Sequence, residues 1–339
     1  MEQREVTTHT PVHDAAGRFV ARGYARHAVF DYDRKRLRSS PFALKEWDFY
    51  QIADDRHVLQ MTVGHVSYVG SVSATLFDLV TGERASVGRM EPLVFQRIPM
   101  EPDPEAPHVL AYERDGLCMR FAAFSDHRAL TLRSDGRDGH AEVSVRLCNC
   151  APEKDKMVIA TPFDRPRQFY LNYKECCYTA AGTARFGDTV VTFGENAYAL
   201  LDSGRGVWPF RHEWVWGSGS TTVDGRPFGF NIGWGFGDTA AATENMFFYD
   251  NRAYKLGRVT AMPIGEGYLA KTRYTDADGR FDLTAEPVFD NDTHTKALFV
   301  DNRCHQVWGR FSGRVRLDGG ETLTVPPFTA FVEHAVNRW

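Results

Sequence analysis

The chain has 339 residues, of which 43% are hydrophobic and 13% aromatic, enough apolar material for one large or two ordinary folded domains. Its formal net charge is -4, and its 40 basic residues are dispersed among 44 acidic ones, so no basic stripe is available to neutralise a nucleic-acid backbone. These values argue against a disordered chain and against a nucleic-acid-binding protein.

The start of the chain and its cysteines indicate where the protein works. The first residues, MEQREVTTHTPVHDAAGRFV, contain no apolar signal-peptide core, and no apolar run long enough to span a membrane follows. We therefore expect a cytoplasmic protein without a membrane span. The six cysteines lack CxxC spacing, and adjacent cysteines rarely meet disulfide geometry, so reduced and mostly buried thiols are predicted.

Segments of alternating hydrophobicity, separated by turn signals, predict an all-β protein. In the first half, the predicted turns lie at residues 81–83, 125–127 and 135–136. In the second half, they lie at residues 224–225, 250–251, 278–279 and 319–320. Asp-Gly and Gly-Gly pairs supply the positive φ angles that tight hairpin turns require.

The hairpin signals divide into two groups. They fill about residues 50–150 and resume near residue 188, and a proline- and charge-rich passage, APEKDKMVIATPFDRPRQFY, lies between the groups. Each group has the length of one antiparallel up-and-down barrel, a closed sheet that can enclose a small ligand. The sequence thus predicts two tandem β-barrel or sandwich domains with few short helices, residues 1–175 and 176–339. One continuous sandwich is the alternative.

An aromatic passage, LDSGRGVWPFRHEWVWGSGS at residues 201–220, is predicted to line a pocket in the second half. If this passage is extended, one face carries Phe210, His212, Trp214 and Trp216, and the other carries Arg211, Glu213 and Val215. In the next predicted strand, Trp234 and Phe236 share a face with other apolar residues, whereas glycines and Asn231 occupy the opposite face. A file of glycines admits either another part of the protein or a ligand. The predicted pocket wall comprises Trp208, Trp214, Trp216 and Trp234.

Five passages together carry a family resemblance: KEWDFYQI (45–52), DSGRGVWPFRHEWVWGSG (202–219), NIGWGFGDTAAATENMFFYDNRAYKLG (231–257), QVWGRFSG (306–313) and FVEHAVNRW (331–339). In this order, across nearly the whole chain, they resemble the family called domain of unknown function 2804. That family is similar to a lipocalin-like group that contains carotenoid 1,2-hydratases and fungal Diels-Alderases. The resemblance implies two lipocalin-like β domains with a ligand site near their junction.

The hydratase relatives suggest cofactor-free acid catalysis, of the hydratase, isomerase or cyclase type, on a small and substantially apolar molecule. Adding water to an alkene needs an acid that protonates carbon, and electron-rich rings that stabilise the carbocation. A carboxylic acid kept neutral by aromatic surroundings could be that donor. Asp202 is the leading candidate, with capping of a turn as its structural alternative, and Glu213, Asp238 and Glu244 are second candidates.

Other residues near Asp202 are candidates for ligand binding. Arg205 could orient a ligand oxygen, and Gly204 and Gly206 on either side of it would leave room for a ligand. A pairing with Arg211 is the structural alternative for Glu213. The remaining candidate ligand-binding residues are His212, Asn231, Asn245, Tyr173 and Lys174.

Two other functions fit the same residues. Tryptophans stack on sugars and paired carboxylates hydrolyse glycosides, as in a carbohydrate-active enzyme. A non-catalytic lipocalin-like carrier would use its carboxylates only for structure. An apolar pocket would favour the hydratase-like enzyme or the carrier, whereas a wet cleft with two facing carboxylates would favour the sugar enzyme.

Three further features of the sequence concern pocket lining, the thiols and cofactors. Lys45, Trp47 and Phe49 share one face of a predicted strand, where both surface pairing and pocket lining remain open. Adjacent Cys176 and Cys177 are interpreted as structural. The histidines are scattered and no phosphate-binding glycine motif occurs, so neither a metal nor a nucleotide cofactor is expected.

Overall fold

The computed structural model describes residues 3–94, 97–135, 139–297 and 300–339. Within these ranges the chain is almost entirely strands, turns and loops. Helix is limited there to two short 3-10 turns, Arg34–Arg36 (η1) and Pro41–Ala43 (η2). The protein is therefore all-β with few short helices, as the spacing of turn residues predicted.

The first fifteen strands lie before residue 208. They are β1 (Thr10–Pro11), β2 (Gly23–Ala25), β3 (Phe30–Asp31), β4 (Leu44–Ala53), β5 (His57–His65), β6 (Val69–Asp78), β7 (Arg84–Pro92), β8 (His108–Arg114), β9 (Leu117–Ala123), β10 (Arg128–Ser134), β11 (Ala141–Cys148), β12 (Met157–Pro162), β13 (Phe169–Phe186), β14 (Thr189–Phe193) and β15 (Tyr198–Val207). Strands β1 and β3 form a small parallel pair. The others form the first sheet, in the order β7-β6-β5-β4-β15-β13-β11-β10-β9-β8, with β12 and β14 also paired to β13 and β2 paired to β12.

The second sheet contains the remaining strands of the described chain. They are β16 (Arg211–Val223), β17 (Arg226–Trp234), β18 (Met246–Tyr249), β19 (Arg252–Lys255), β20 (Val259–Ile264), β21 (Lys271–Asp276), β22 (Phe281–Ala297), β23 (Val300–Arg316) and β24 (Thr322–Arg338). Their order is β19-β18-β17-β16-β24-β23-β22-β21-β20, with every pair antiparallel. The last strand therefore returns to pair with the first, and the sheet curls.

Turn chemistry explains where these strands reverse. Asp224 and Gly225 join β16 to β17 and both have positive φ, 49° and 74°. Asp250 and Asn251 join β18 to β19 in the same way, at 52° and 64°. The turns predicted at residues 81–83, 125–127, 278–279 and 319–320 also connect adjacent strands, which confirms them. The turn predicted at residues 135–136 runs into residues 136–138, which lie outside the described residues.

The position at which the chain changes sheet differs from the predicted boundary. Residues 175 and 176 lie inside β13. The register of this strand with β15 shifts at a β-bulge between Glu175 and Tyr178, and the pairing resumes beyond the bulge. Cys177 in this bulge has a φ of 62°. The bulge bends the strand without ending it, so the chain leaves the first sheet only after Val207. The division into two domains stays a prediction.

The buried apolar residues form three clusters, one of which joins the two sheets. One cluster lies within the first sheet and a second within the second sheet. The third, which we call the junction cluster, joins the sheets. It includes Phe77, Tyr170, Trp208, Trp216, Phe248, Trp308 and Phe331. Because this shared cluster is buried and largely aromatic, any polar group inside it must find a partner or change its ionisation.

Candidate functional site

A cavity of about 210 Å³ lies at the junction of the two sheets. The first sheet contributes Trp47, Tyr170, Lys174 and Asp202, and the second contributes Trp214, Trp216 and Glu333. Trp208, Phe236, Glu244 and Trp339 complete the wall from outside the strands. The cavity is therefore mostly aromatic, but it also contains one amine and three carboxyl groups. Its volume is below the range typical for drug-sized ligands, so it fits a small molecule.

Strand register brings Lys174 and Asp202 together on the first sheet. Lys174 on β13 is directly opposite Asp202 on β15, so both side chains project from the same face. Asp202 lies inside a strand, and the alternative that it caps a turn is therefore wrong. The neighbouring residues Tyr173 and Arg205 alternate to the other face.

Two glycines next to Asp202 make room for tryptophan rings. A Cβ atom added to Gly204 would lie 2.0 Å from Cζ2 of Trp47, and one added to Gly206 would lie 2.4 Å from Nε1 of Trp208. The room that these glycines were predicted to leave for a ligand is thus filled by indoles. Those indoles in turn form the cavity wall.

An ion pair closes one side of the cavity. Nζ of Lys174 lies 2.7 Å from Oε2 of Glu244 and 4.3 Å from the centre of the Trp216 ring. Asn231 accepts a hydrogen bond from Nε1 of Trp216 (2.7 Å) and donates to the backbone oxygen of Glu244 (2.8 Å). A Cβ added to Gly233 would lie 2.3 Å from Oε1 of Glu244. The space that this glycine leaves on its face of the strand is therefore occupied by the carboxylate of Glu244.

Glu333 contributes a second buried carboxyl group from β24. Trp214 donates its indole N–H to Oε1 of Glu333 (2.8 Å), and Gln306 donates its amide to Oε2 (3.1 Å). Gln306 itself accepts a hydrogen bond from Gln60 of the first sheet (2.7 Å), so this network also joins the sheets. Burial raises the pKa of Glu333 to about 6, although both donated hydrogen bonds favour the ionised form.

Asp202 is the third carboxyl group of the cavity and is also buried. Its Oδ1 accepts a hydrogen bond from the amide of Asn172 at 2.5 Å. Burial raises the pKa of Asp202, and the charge of Glu244 raises it further, while Lys174 and Asn172 act in the opposite direction. The charge of Asp202 also helps to raise the pKa of Glu333, so an ionised Asp202 disfavours ionisation of Glu333.

His212 supports the aromatic wall from behind. Its ring stacks on Trp214 with a centroid distance of 5.7 Å and meets Trp339 edge-on at 4.8 Å. Burial lowers the pKa of His212 to about 4, so the ring is neutral near neutral pH. We therefore regard His212 as a neutral packing partner of the cavity wall.

The structure places Glu213, Asp238 and Trp234 away from this cavity. Glu213 is exposed on the other face of β16, where it contacts His334 instead of the expected Arg211. Asp238 is exposed in a loop and accepts a hydrogen bond from the backbone N–H of Ala240. Trp234 faces the interior of the second sheet, because it alternates with Gly233 along β17.

Arg205, Tyr173 and Asn245 are also buried elsewhere. Arg205 pairs with Asp48 at 3.0 Å inside the first sheet. Tyr173 donates its hydroxyl hydrogen to Glu175 on the same side of that sheet. Asn245 accepts a hydrogen bond from the backbone N–H of Gly233, which fixes the loop that carries Glu244.

Some cavity residues were not identified from the sequence. Trp47 was left open between surface and pocket, and Glu333, Tyr170 and Trp339 were not singled out. A glutamate inside the apolar segment FVEHAV is the one local signal that could have indicated Glu333. Phe236 was assigned to the β17 face, but β17 ends at Trp234 and the next residue, Gly235, has a φ of 88°.

Across the described ranges, no group of three or more His, Cys, Asp or Glu side chains is placed to hold a metal ion. None of the helical segments that the structure describes is long and apolar enough to cross a membrane.

The two curled antiparallel sheets and the site between them define a lipocalin-like β fold. The chain belongs to the family "Domain of unknown function (DUF2804)", whose model matches residues 3–339. This match confirms the resemblance seen in the sequence. A search of curated proteins finds no match.

Comparison with solved structures finds similar chains at low sequence identity. CghA, determined with Sch210972, is 9% identical, with a TM-score of 0.54 over 88% of this chain and 89% of CghA. A candidate AttH protein from Nitrosomonas europaea is 12% identical, with a TM-score of 0.53 over 86% and 92% of the two chains. Kievitone hydratase from Nectria haematococca is 9% identical, with a TM-score of 0.49 over 86% and 88%.

Proposed function

We propose that the junction cavity binds a small, substantially apolar molecule and protonates it with a buried carboxyl group, without a cofactor. One observation carries this proposal: two buried carboxyl groups with raised pKa values, Asp202 and Glu333, share one aromatic-lined cavity. A buried acid keeps its proton closer to neutral pH, and electron-rich rings stabilise a cationic intermediate. The reaction would be of the hydratase, isomerase or cyclase type.

We assign the donor role to Asp202 and the acceptor role to Glu333. Lys174 would favour an ionised Asp202, but its charge is balanced by Glu244 at 2.7 Å. Both oxygens of Glu333 accept N–H hydrogen bonds, which favour its carboxylate form. Burial raises the pKa of both carboxyl groups, and the charge of Asp202 adds to the effect on Glu333, so this pair keeps its protons to a higher pH than exposed carboxyl groups do.

In a hydration, the proton of Asp202 adds to one alkene carbon and leaves a carbocation on the other. The rings of Trp214 and Trp216 lie on the wall where this charge would develop. Water then forms the new carbon–oxygen bond, and Glu333 takes the proton that the water loses. In an isomerisation or cyclisation, Glu333 would take a proton from a neighbouring carbon instead. Each turnover transfers one proton from Asp202 to the product and one proton to Glu333. Passage of a proton from Glu333 back to Asp202 then restores the starting state.

The lining of the junction cavity also bears on the two alternative functions, a carbohydrate-active enzyme and a carrier. An aromatic wall favours an apolar ligand over a sugar, and Glu244 is held in an ion pair with Lys174. The crystal structure of CghA contains Sch210972, so a protein of this fold has been observed with a compound. A carrier differs from an enzyme only in the fate of its ligand, and the experiment below separates the two.

A simple enol ether, 2,3-dihydropyran, tests the proposal because its hydration begins with protonation of carbon. We expect the protein to accelerate this hydration near neutral pH, as followed by proton NMR. Asp202→Asn should abolish the acceleration and leave the fold intact, because asparagine has the same shape but no proton of comparable acidity. Asp238→Asn, an exposed aspartate, is the matched control and should keep full activity.

Three results would contradict the proposal. The unmodified protein could fail to accelerate hydration, Asp202→Asn could retain the rate within a few fold, or Asp238→Asn could lose it equally. Binding of the probe without reaction in every variant would instead favour the carrier.

A further inference from the structure

A second cavity of about 280 Å³ lies on the opposite face of the second sheet. Its inner wall is apolar and includes Val215, Trp234, Tyr274 and Phe311. Val215 lies between Trp214 and Trp216 in β16, so strand alternation turns it away from the junction cavity. The two cavities therefore use largely opposite faces of the same strands, although Glu333 borders both, and we call this one the cup.

The mouth of the cup carries a hydrogen-bonded chain of three side chains. Nε2 of His334 lies 2.9 Å from Oε1 of Glu213, and Nδ1 of His334 lies 2.9 Å from the hydroxyl oxygen of Tyr268. An ionised carboxylate only accepts hydrogen bonds, so Glu213 places the imidazole proton on Nε2. With the imidazole neutral, Nδ1 then accepts the hydroxyl hydrogen of Tyr268.

This chain fixes what Tyr268 can offer to a ligand. In this neutral tautomer its one hydroxyl hydrogen is donated to His334, so its oxygen can only accept a further hydrogen bond. Burial raises the pKa of Tyr268, which keeps the hydroxyl protonated. The group that would complete this site is therefore a hydrogen-bond donor.

Tyr268 is also held in position by a second histidine. The ring of His305 stacks on that of Tyr268 with a centroid distance of 3.7 Å and an angle of 10° between the ring planes. Nδ1 of His305 lies 2.8 Å from Oδ2 of Asp290, which orients the imidazole in turn. Tyr268 lies in the loop between β20 and β21, so these contacts fix a residue that the loop alone would not position.

We infer that the cup is a second small-molecule site, for a mainly apolar molecule with a hydroxyl group. The hydroxyl donates to the oxygen of Tyr268 at the mouth, and the apolar body packs inside against Trp234 and Phe311. This site does not depend on the function proposed for the junction cavity. Trp234 lines this cup, and Glu213 is connected to it through His334.

A pair of probes that differ only in the hydroxyl hydrogen tests this inference. 2-Naphthol can donate, whereas 2-methoxynaphthalene has a similar shape and cannot. Titrations would be followed by NMR through the indole N–H of Trp234 and the ring C–H of His334, assigned with Trp234→Phe and His334→Gln. We expect 2-naphthol to bind with saturable shifts of both signals, about fivefold more tightly than 2-methoxynaphthalene, as one net hydrogen bond implies.

Two variants distinguish the contribution of the Tyr268 hydroxyl group to binding from an effect on the fold. Tyr268→Phe should remove the preference for 2-naphthol while 2-methoxynaphthalene binds as before. Tyr254→Phe is the control, because this half-buried tyrosine lies on β19 of the same sheet, stacked on Phe247 outside the cup. Asp202→Asn, which alters the junction cavity, should leave both affinities at the cup unchanged.

The inference is overturned if neither probe shifts the Trp234 and His334 signals. It is also overturned if both probes bind equally to the unmodified protein, or if Tyr268→Phe keeps the preference. Loss of enol ether hydration with the cup still binding 2-naphthol would refute only the function proposed for the junction cavity.

Discussion

The carboxyl group of Glu333 titrates in a different pH range in the folded chain than in the unfolded chain. Its pKa is about 6 in the folded state against an ordinary value of 4.5, so the folded state binds more protons between these values. The free energy of unfolding should therefore fall by about 2 kcal/mol as the pH rises from below 4.5 to above 6. Its contribution is fully present below the unfolded pKa and is lost as the pH passes the folded pKa.

Glu333→Gln cannot titrate, and this makes the effect measurable. The stability of the variant relative to the unmodified protein should improve by about 2 kcal/mol across that pH window, whatever its absolute value. Urea unfolding at a series of pH values measures the difference. A difference that does not change with pH would mean that Glu333 is not buried as the structure shows.

Trp214 should tune the same carboxyl group. Its indole N–H donates to Oε1 of Glu333 and favours the ionised form, so Trp214→Phe should raise the pKa of Glu333 above about 6. Trp234→Phe removes an indole from the opposite face of the same sheet and should leave the titration of Glu333 unchanged. Carbon-13 NMR of the side-chain carboxyl, assigned with Glu333→Gln, reports both titrations. An equal shift in the two variants would count against the hydrogen bond.

At the scale of strands, the faces of β16 were predictable and the end of β17 was not. His212, Trp214 and Trp216 alternate with Glu213 and Val215, and strict alternation in the sequence indicates this arrangement directly. Phe236 continues the alternating pattern of β17 but lies beyond its end, because Gly235 turns the chain with a positive φ. A glycine in a predicted strand can pack closely or bend the backbone, and the sequence alone does not distinguish these roles.

Gly204 tests how closely two strands of the first sheet approach. A Cβ there would lie 2.0 Å from the Trp47 ring, so Gly204→Ala must displace this indole from its place in the wall of the junction cavity. We expect a loss of about 1–3 kcal/mol of stability, typical of overpacking, together with loss of activity towards the enol ether. Gly194→Ala, where no atom lies within 4 Å, is the control and should change stability by less than about 0.5 kcal/mol. Thermal unfolding of both variants compares them, and equal melting temperatures would contradict the prediction.

At the scale of the whole molecule, the sequence predicted the class of fold but not the composition of the site. Turn residues act locally, so Asp224 and Gly225 indicate a hairpin without any other part of the chain. Asp202 and Glu333 line the same cavity because β15 and β24, which lie in different sheets, both border the junction. Their burial, and hence their raised pKa values, come from this long-range packing, which no local pattern encodes.

The shared junction cluster predicts that both sheets unfold as one unit. Phe281→Ala would leave a void in the core of the second sheet, and Phe121→Ala one in the core of the first. Each truncation should cost about 3–5 kcal/mol. If the junction couples the sheets, each variant will accelerate hydrogen exchange of the most protected amides in both sheets by the same factor. Native-state hydrogen exchange followed by mass spectrometry distinguishes joint unfolding of the two sheets from independent unfolding of each sheet. Acceleration confined to the sheet that carries the substitution would show that the sheets unfold independently, and that the junction opens when only one of the two cores is lost.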